Sequence, residues 1–308
     1  MRAPTLQEYR ERPAHPARRE GGLRARGAFA RSSQPGTPLL SIVTVVYNGQ
    51  ATLERTLRSV LGQTYPNIEH IIIDGGSTDG TLEIVQRYDD QLAYWLSEPD
   101  AGIFDAMNKG VALAGGAYIA ILNADDYYAP QAAERVVSAV NKEHSDVVFT
   151  DYVFVADDIH MEGPVTATLR LTRGMTLSHP GMFVSKETYE KHGLYALDYT
   201  YASDLDFALR LFLARLRFTK VAEPLAYFVS GGTAERHLCR ASVEAIAIIK
   251  EQAGLLSALP YMLMFAKRVC LRGTNWCVRT LLGRRACLWV KRGYYGGLKG
   301  FKEQTAQQ

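Results

Sequence analysis

An amide and two adjacent carboxylates follow directly on an apolar run near the middle of the chain. The run is Ala117–Leu122, and Asn123, Asp125 and Asp126 come at its end. A continuous apolar run is typical of a buried parallel strand, and ligands of open α/β sheets bind beyond the carboxyl ends of such strands. Two neighbouring carboxylates repel each other, and a bound divalent cation offsets that repulsion. The pair is therefore a candidate metal site, although Asp pairs also cap helices and fill turns.

Three further polar clusters stand where predicted strands end or predicted helices begin. They are Tyr47-Asn48, Asp74–Asp79 and Asp100–Lys109. In a doubly wound sheet such ends converge on one crevice. A crevice with so many carboxylates would repel a phosphorylated ligand unless a cation bridged them, and Mg²⁺ and Mn²⁺ are hard ions that prefer oxygen ligands. Each cluster taken alone is equally compatible with a solvated loop.

Another carboxylate that could act in catalysis opens a later helix. Asp204 lies in Ser203-Asp204-Leu205-Asp206, near the predicted cap of that helix. A carboxylate there can act as general base if it reaches an acceptor hydroxyl. The alternative is structural, with Asp204 capping the helix and Asp206 interacting with the helix dipole. Two further residues have the same double interpretation: His179 could line an acceptor site or simply pack, and Lys109 could contact a phosphate or stay solvated.

Strands and helices alternate four times between residues 39 and 140. Apolar runs predict the strands Leu39–Tyr47, Ile68–Asp74, Leu92–Leu96 and Ala117–Leu122. This alternation predicts an α/β fold, with a Rossmann-like, mostly parallel mixed sheet flanked by helices. After residue 146 the pattern changes, and we expect a second half laid over the first within one domain, 39–252. Its predicted elements are the strands Val147–Val155, Val165–Leu171, Pro180–Val184 and a pair around Pro224, and the helices Lys186–His192 and Glu235–Gln252.

Charge is distributed unevenly along the chain. Residues 1–38 carry a net charge of +5, residues 39–251 carry −11, and residues 252–308 carry +9. Basic ends suit nucleic acid or an anionic membrane, whereas the acidic body is no general polyanion binder. No nucleic-acid-binding module accompanies the basic ends, so we expect no nucleic-acid partner. The first segment has no apolar periodicity and is predicted to be a disordered basic tail.

The cysteines and the C-terminal segment indicate where in the cell the protein is expected. The four cysteines form no CxxC pair, which favours a reduced, cytoplasmic setting without disulfides, and no apolar signal segment opens the chain. Residues 253–308 are predicted to be a basic amphipathic helical segment with no apolar run long enough to span a bilayer. Its part 255–301 can lie on an anionic membrane, at the inner face of the plasma membrane, or can pack on the domain instead.

Several motifs, in order, resemble the family 2 inverting glycosyltransferases of the GT-A fold. The motifs are Ser41–Asn48, Ile72–Thr81, Leu122–Asp126 and Ser203–Asp206. A further stretch, Glu98–Gly110, is similar to a signature of the branch that builds bacterial surface polysaccharides. The resemblance covers roughly residues 39–235 and implies transfer of a sugar from a nucleotide-diphosphate donor to a hydroxyl of a saccharide or lipid-linked saccharide.

The resemblance implies a role for each matching residue. The residues implied to contact the nucleotide are Val45, Tyr47, Asp74, Ser77, Asn123 and Asp125. Asp74 would accept from the ring N–H of a uracil-type base, which favours a UDP donor. Asp125 and Asp126 would hold Mg²⁺ or Mn²⁺, and Asp204 would be the general base. The candidates for donor or acceptor contacts are Asp100, Asp105, Lys109 and His179.

Two residues depart from the family pattern, and the absence of one motif narrows the expected activity. Asn123 replaces the first Asp of the metal motif, and Gly75 replaces a second Asp that is common after Asp74. The Gln-x-x-Arg-Trp motif of processive members is absent, so we expect one sugar per encounter. The resemblance implies that the hydroxyl attacks the anomeric carbon opposite the leaving nucleotide, whose charge the metal neutralises.

Other functions of α/β proteins fit the sequence less well. A nicotinamide oxidoreductase would need Gly-x-Gly-x-x-Gly after the first strand, and the chain has Tyr47-Asn48-Gly49-Gln50 there. A sugar nucleotidyltransferase would need a Gly-rich basic phosphate loop at the same place. The main alternative is a non-catalytic nucleotide-sugar-binding scaffold of the same fold. Asn123 and Gly75 favour it, and the retained metal and base carboxylates disfavour it.

Overall fold

A mixed β-sheet forms the centre of the protein. The computed structural model describes residues 3–156, 160–230 and 237–267, apart from the side chains of 160–163. Within these ranges the strands are β1 (Arg19–Gly21), β2 (Leu40–Val46), β3 (Ile68–Asp74), β4 (Tyr94–Ser97), β5 (Tyr118–Asn123), β6 (Tyr127–Tyr128), β7 (Val147–Ala156), β8 (His160–Val165), β9 (Met182–Ser185) and β10 (Phe218–Val229). They follow the order β1-β4-β3-β2-β5-β9-β7-β10-β6, and β8 pairs with β7 outside that path.

The first half of the sheet is parallel. Strand β2 pairs in parallel with β3 on one side and with β5 on the other, and β3 pairs in parallel with β4. Strand β9 then runs antiparallel to both β5 and β7, while β10 runs parallel to β7. The predicted α/β fold, with a mixed sheet flanked by helices, is confirmed.

Helices follow the parallel strands. They are α1 (Leu6–Arg10), α2 (Leu53–Leu61), α3 (Thr81–Arg87), α4 (Ile103–Leu113), α5 (Ala132–Glu143), α6 (Lys186–His192), α7 (Ser203–Leu213) and α8 (Leu238–Ala253), and a further helix, α9, spans 255–267. In α2, Leu53, Leu57 and Val60 recur at helical spacing and are all buried. Packing of this apolar stripe stabilises a helix of nine residues that would be marginal in isolation.

The apolar core accounts for the continuous hydrophobic runs of β2 and β3. All seven residues of each strand are buried. One cluster of core residues joins Leu40, Leu122 and Phe183 to α5, and another joins Leu57 and Ile72 to α3. Burial of one such side chain contributes about 1.5–3 kcal/mol, so slippage of either strand would be costly.

The register brings four strand ends to one edge of the sheet. Val46 lies beside Asp74, Asp74 beside Ser97, and Val45 beside Asn123. The loops that follow β2, β3, β4 and β5 therefore start at the same edge, which is where ligands of open α/β sheets bind.

Two predicted strand assignments in the second half differ from the structure. The predicted strand Val165–Leu171 is wrong, because β8 ends at Val165 and Ala167 then donates its N–H to the Asp151 carboxylate at 2.7 Å. The predicted strand pair around Pro224 is one strand, β10, whose register with β7 shifts on both sides of Pro224. Proline has no N–H for the ladder, and the irregularity accommodates it without ending the strand.

The N-terminal segment contradicts the prediction of a disordered tail at residues 1–38. In its described part, Thr5 caps α1 in a capping box with Glu8, and Leu6 and Tyr9 are buried. Strand β1 extends the sheet by pairing antiparallel with β4. The prediction failed because a segment with little apolar periodicity is held here by partners that lie far away in the sequence.

Ion pairs are the main partners of this polar segment. Arg24 pairs with Glu69, whose fully buried carboxylate also accepts hydrogen bonds from the backbone N–H groups of residues 115–116. Arg12 pairs with the buried carboxylate of Asp105 at 2.7 Å. The basic residues of the segment thus neutralise carboxylates of the acidic body.

The C-terminal part is described only as far as residue 267. Contacts divide the chain into two compact units, 1–257 and 258–308. Helix α9 exposes apolar side chains, namely Leu255, Leu256, Leu259, Met262 and Leu263. No described helix is long and apolar enough to cross a membrane. Most of the predicted membrane segment, 268–301, lies outside the described residues, as do three of the four cysteines.

We expect Arg24→Ala to destabilise the protein by about 3 kcal/mol. The substitution leaves the Glu69 carboxylate buried without its cation, and breaking a buried pair costs about 3–5 kcal/mol. Arg24 is 27% exposed, which favours the lower end of that range. Urea unfolding monitored by circular dichroism measures the change.

The control for this prediction is Arg26→Ala. Arg26 pairs with Asp89, and their side chains are 46% and 27% exposed, so the loss should be about 0–1 kcal/mol. Equal losses in the two variants would show that the Arg24–Glu69 pair does not anchor the segment.

Candidate active site

Asp74, at the end of β3, holds the turn that follows it. Its carboxylate accepts hydrogen bonds from the Ser77 hydroxyl at 2.5 Å and from the Ser97 hydroxyl at 2.6 Å. The Ser77 N–H lies 3.2 Å from both carboxylate oxygens. A carboxylate has about four lone-pair positions, and these donors use them. Asp74 is buried and therefore shapes the turn at residues 75–77.

Asn48 couples the loop after β2 to the loop after β3. Its backbone N–H donates to Ser77 Oγ at 2.7 Å, and its Oδ1 accepts from the Thr78 N–H at 2.9 Å. Asn48 has a left-handed φ of 51°, which Asn adopts more readily than most residues. The Gln50 N–H donates to Asp79 at 3.1 Å, so the two loops are bonded at several points.

The two nucleotide-binding residues predicted on and after β2 have opposite surroundings. Val45 is buried within the sheet, so any contact with a ligand would come from its main chain. Tyr47 is 65% exposed, and its ring is accessible to a ligand at the edge of the sheet.

Gly75 lies against Asp100, at the end of the loop that follows β4. A methyl group built on Gly75 would overlap Oδ2 of Asp100 and lie 3.1 Å from its Cγ. Asp100 accepts from the Gly102 N–H at 2.9 Å. Burial raises the Asp100 pKa above its usual range, and the charges of Asp105 and Asp74 add to the effect. A side chain at position 75 would therefore displace the Asp100 carboxylate from its present position.

Asp105 and Lys109 make contacts that fix the start of α4. The Asp105 carboxylate accepts from the Tyr9 hydroxyl at 2.6 Å and from the Ala101 N–H at 3.1 Å. The Lys109 ammonium lies 2.9 Å from the carboxylate of Glu98, and both side chains are 11% exposed. These contacts give both residues a structural role, and their roles in binding donor or acceptor stay predictions.

The acidic motif, Asn123–Asp126, contains one buried and one partly exposed carboxylate. Asp126 is buried and accepts from the Val229 N–H at 2.9 Å and from Asn123 Nδ2 at 3.1 Å. Burial raises the Asp126 pKa well above its usual range, and the neighbouring charge of Asp125 raises it further. Asp125 is the partly exposed one. The buried Oδ1 of Asn123 has no hydrogen-bond partner within the described residues.

Two side chains of α2 hold the main chain of the acidic motif. Thr56 donates its hydroxyl to the carbonyls of Ala124 at 3.0 Å and Asp126 at 2.7 Å, and Arg55 donates to the carbonyl of Asp125 at 2.9 Å. We did not predict either residue from the sequence. The one available signal is that Thr56 interrupts the apolar stripe of α2.

Asp204 lies in the first turn of α7, and Glu244 of α8 holds the residues before it. Glu244 accepts from the three successive N–H groups of residues 200–202 at 2.8–3.1 Å. Burial raises the pKa of Asp204 to about 6, and the charge of Glu244 contributes. Asp204 is therefore mostly ionised at neutral pH and more basic than an ordinary Asp, which suits a general base. No pattern in the sequence points to Glu244.

His179 belongs to a chain of polar groups that includes two buried tyrosines. Its Nε2 lies 3.1 Å from the Tyr195 hydroxyl, which also lies 3.1 Å from the Tyr189 hydroxyl. Burial lowers the pKa of His179 to about 4, so it is neutral at neutral pH. Burial also raises the pKa of Tyr195, with contributions from Tyr189 and from the charge of Asp204. The acceptor-binding role of His179 stays a prediction.

Hydrogen bonds connect the segments on either side of α6 with α4 and with β6. The Tyr195 backbone exchanges hydrogen bonds of 2.8 and 2.9 Å with the Asn108 side chain of α4. Pro180, next to His179, accepts at 2.6 Å from the hydroxyl of Tyr128, which lies just after the acidic motif. The segment before α7 is thus bonded to α4, and the segment around His179 is bonded to β6, just after the acidic motif.

Comparison with known proteins identifies the family of the chain. A family model described as "Glycosyl transferase family 2" matches residues 41–187. Two proteins of Mycobacterium tuberculosis (strain H37Rv) are similar in sequence. "Uncharacterized glycosyltransferase Rv1514c" is 35% identical over 181 residues, 56% of this chain and 68% of that protein. "PGL/p-HBAD biosynthesis glycosyltransferase Rv2957" is 33% identical over 180 residues, 57% of this chain and 70% of that protein.

The chain belongs to glycosyl transferase family 2. It is a glycosyltransferase, as the motifs predict. Among solved structures, the mannosyltransferase PcManGT from Pyrobaculum calidifontis in complex with GDP-Man and Mn²⁺ has a TM-score of 0.57 at 17% identity. That alignment covers 98% of this chain and 88% of the other, which shows a shared fold.

The glycosyltransferase presents oxygen atoms that fit a hard divalent cation. Asp125 and Asp126 carry carboxylates, and the amide oxygen of Asn123 is buried without a hydrogen-bond partner in the described part of the chain. No cluster of three or more His, Cys, Asp or Glu side chains in that part could hold a metal by itself. Mg²⁺ commonly uses one or two carboxylates together with substrate phosphates. The residues therefore fit a cation that binds with a diphosphate.

We expect Asp126→Ala to destabilise the glycosyltransferase and Asp126→Asn to leave its stability close to wild type. Alanine leaves the Val229 N–H and the Asn123 amide buried without their acceptor, which costs about 1–3 kcal/mol. Asparagine keeps an acceptor for Val229 and offers a donor to the Asn123 oxygen. Urea unfolding at neutral pH measures both.

The two variants remove the same charge, so each controls for the other. Equal destabilisation would show that the carboxylate charge, and not its hydrogen bonds, stabilises this edge of the sheet.

Proposed function

We propose that the enzyme is a non-processive inverting glycosyltransferase that moves one sugar from a nucleotide-diphosphate donor, of the UDP type, to a hydroxyl of a saccharide or lipid-linked saccharide. The observation that carries the proposal is the edge of the sheet where the strands that bear Asp74 and Asn123 end side by side, and the raised pKa of Asp204, about 6, suits a base. The name of Rv2957 supports a biosynthetic role, and we assign the enzyme to surface-polysaccharide biosynthesis.

The donor nucleotide binds over the loops after β2, β3 and β5. Tyr47 offers an exposed ring to the base, and Val45 offers its main chain. Ser77 and Asp74 form the turn beneath the base. Ribose contacts come from the two polar residues of the acidic motif that are not fully buried, namely Asn123 and Asp125. The side chains of Asp74 and Ser77 are hydrogen-bonded to residues at neighbouring strand ends, which pre-organises the site and lowers the entropy cost of binding.

Transfer needs one proton to move and one bond to be exchanged. The acceptor hydroxyl gives its proton to the Asp204 carboxylate as its oxygen attacks the anomeric carbon. The bond from that carbon to the diphosphate oxygen breaks, and the nucleoside diphosphate leaves from the opposite face. The configuration at the anomeric carbon therefore inverts. Glu244 fixes the main chain before Asp204, which helps to hold the base in place.

Asp125 and Asp126, with the amide oxygen of Asn123, are the residues that would hold Mg²⁺ or Mn²⁺. When bound, such a cation neutralises the negative charge that develops on the leaving diphosphate. The presence of Mn²⁺ with GDP-Man in PcManGT supports this assignment. Two side chains of α2 hold the main chain of the acidic motif, so that its carboxylates keep their positions.

The alternative is a non-catalytic scaffold that binds a nucleotide sugar. The retained carboxylates Asp125, Asp126 and Asp204 favour catalysis, and the raised pKa of Asp204 agrees with it. Slow, Mn²⁺-dependent hydrolysis of a UDP-sugar in the absence of acceptor would separate the two functions, because a scaffold would not hydrolyse it.

We expect Asp204→Asn to lower sugar transfer, or donor hydrolysis when no acceptor is known, by about 10²- to 10⁴-fold, the usual contribution of a general base. Binding of UDP should stay within about twofold of wild type, because the base contacts the acceptor. In wild type the rate should fall as the pH drops through about 6, since protonated Asp204 cannot take a proton. Release of UDP, with Mn²⁺ or EDTA, measures the rate.

The matched control is Asp198→Asn, an exposed carboxylate just before the same helix. It should leave the rate and the pH profile unchanged. A parallel loss of UDP binding and of rate in Asp204→Asn would assign that residue to structure and not to catalysis. Full activity in EDTA would remove the metal from the proposal.

We also place the enzyme in the cytoplasm, in peripheral contact with the anionic inner face of the plasma membrane through 255–301. The exposed apolar side chains of α9 and the charge of +9 on residues 252–308 support this contact. An enzyme with a lipid-linked acceptor would gain from residence at that surface.

We expect the full chain with Leu256→Glu and Leu263→Glu to bind vesicles of phosphatidylglycerol and phosphatidylcholine less than wild type in flotation. These residues are 81% and 71% exposed, and a carboxylate there would oppose burial in an anionic interface. The control is Val243→Glu, a 59% exposed position on α8. Membrane contact through α9 is excluded if wild type and the double variant float to the same extent.

A further inference from the structure

An apolar groove lies at the C-terminal end of α7, the end of that helix opposite to Asp204. Its volume is about 570 Å³, which is within the range of small-molecule sites. Phe212 and Leu213 in its wall are large apolar side chains, yet they are 38% and 45% exposed. Apolar side chains left open to water along a groove indicate a binding surface. The residues that line the groove are Leu169, Phe212, Leu213, Arg215, Leu216 and Phe218.

Arg215 is the one charged residue among the described residues that line this groove. It is exposed, and its guanidinium has no ion pair or hydrogen bond with another described residue. Two neighbouring arginines differ in this respect, because Arg210 donates to the carbonyl of Leu194 and Arg217 to that of Glu143, each at 2.8 Å. An uncommitted guanidinium beside an apolar surface is complementary to an amphiphile with a phosphate group.

The backbone at Arg215 has a conformation that glycine usually provides. Its φ is 58°, in the left-handed region. The Arg215 N–H donates to the carbonyl of Phe212 at 3.0 Å, and the Leu216 N–H donates to that of Leu211 at 3.4 Å. These two bonds end α7 in a Schellman motif, whose left-handed residue is most often Gly. The chain therefore carries a guanidinium at a position where the fold alone favours glycine, and such a departure points to a function.

The length of α7 separates the groove from the general base of the proposed function. The helix has 11 residues, which corresponds to about 16 Å along its axis, and Asp204 lies in its first turn. A ligand that contacts both ends must be elongated, with a hydroxyl at one end and an apolar part at the other. A saccharide joined through a phosphate to a lipid has this form, whereas a free sugar does not.

We propose that this groove binds the apolar chain of a lipid-linked acceptor, and that Arg215 binds the phosphate that joins the chain to the saccharide. The proposal rests on the proposed function, which names a saccharide and a lipid-linked saccharide as acceptors, and it selects the second. Arg presents several N–H donors in a fixed plane that matches the oxygens of a phosphate. The apolar wall gains free energy when the chain displaces water from it.

We expect Arg215→Gly to weaken the binding of farnesyl phosphate by about tenfold or more, because a charge-assisted hydrogen bond to the phosphate is lost. The melting temperature should stay the same or rise, because glycine suits the left-handed backbone at this position. Titration calorimetry of the full-length enzyme gives the dissociation constants. Farnesol, which has the chain without the phosphate, should bind the variant and wild type equally.

Three further variants locate the site. Leu213→Ser should weaken farnesyl phosphate and farnesol alike, by about threefold or more, because it removes part of the apolar wall. Arg240→Gln, at an exposed arginine of α8, should leave both affinities unchanged. The double variant Leu256→Glu and Leu263→Glu should also bind farnesyl phosphate as wild type does, because these residues do not line the groove.

The outcomes separate this proposal from the proposed function. If the enzyme hydrolyses a UDP-sugar but Arg215→Gly binds farnesyl phosphate as wild type does, or if binding is lost in the α9 double variant, the groove is not the lipid site and only this proposal is overturned. Self-association that Leu213→Ser abolishes in sedimentation would assign the groove to a second copy and would overturn it as well. If binding depends on Arg215 and Leu213 but no nucleotide sugar is bound or hydrolysed, the lipid site is supported and the proposed function fails.

Discussion

The structure depends on the requirement that a buried carboxylate must be surrounded by hydrogen-bond donors or cations. Removing such a charge from water without compensation costs several kcal/mol. Glu69 meets the requirement with Arg24 and the 115–116 turn, Asp74 with serines from two strand ends, and Asp126 with the backbone of β10. In each case at least one of the donors comes from a part of the chain that is distant in sequence. The carboxylates therefore act as cross-links that hold the loops of the site in fixed relative positions.

The first half of the fold could be predicted because its signals are local. A strand with both faces covered, such as β2 or β3, must be apolar throughout, and an amphipathic helix such as α2 shows its buried stripe at fixed spacing. The N-terminal segment could not be predicted in this way. Its order comes from ion pairs such as Arg24–Glu69, and composition contains no information about a partner so far along the chain. Nor could the sequence show that Asp151 would take the N–H of Ala167 and end the ladder of β8.

The sequence also indicated the residues of the site better than their surroundings. The strand ends that carry Asp74 and Asn123 lie at one edge because parallel strands must end together, and that follows from topology alone. Whether a carboxylate faces a ligand or faces the protein depends on side-chain contacts between elements. Asp105 and Lys109 lie inside a motif, yet each has partners within the protein. Glu244, which fixes the start of α7, lies outside every motif, because a residue that only accepts backbone N–H groups leaves no pattern.

Tyr195 joins the two halves of the site mechanically. Its backbone is bonded to Asn108 of α4, and its ring lies 4.8 Å from that of Phe207 of α7, centroid to centroid. A close-packed interior transmits displacement, so a shift of α4 would be passed to α7 through Tyr195. Helices α4 and α7 thereby belong to one packed unit that Tyr195 joins through its backbone on one side and its ring on the other.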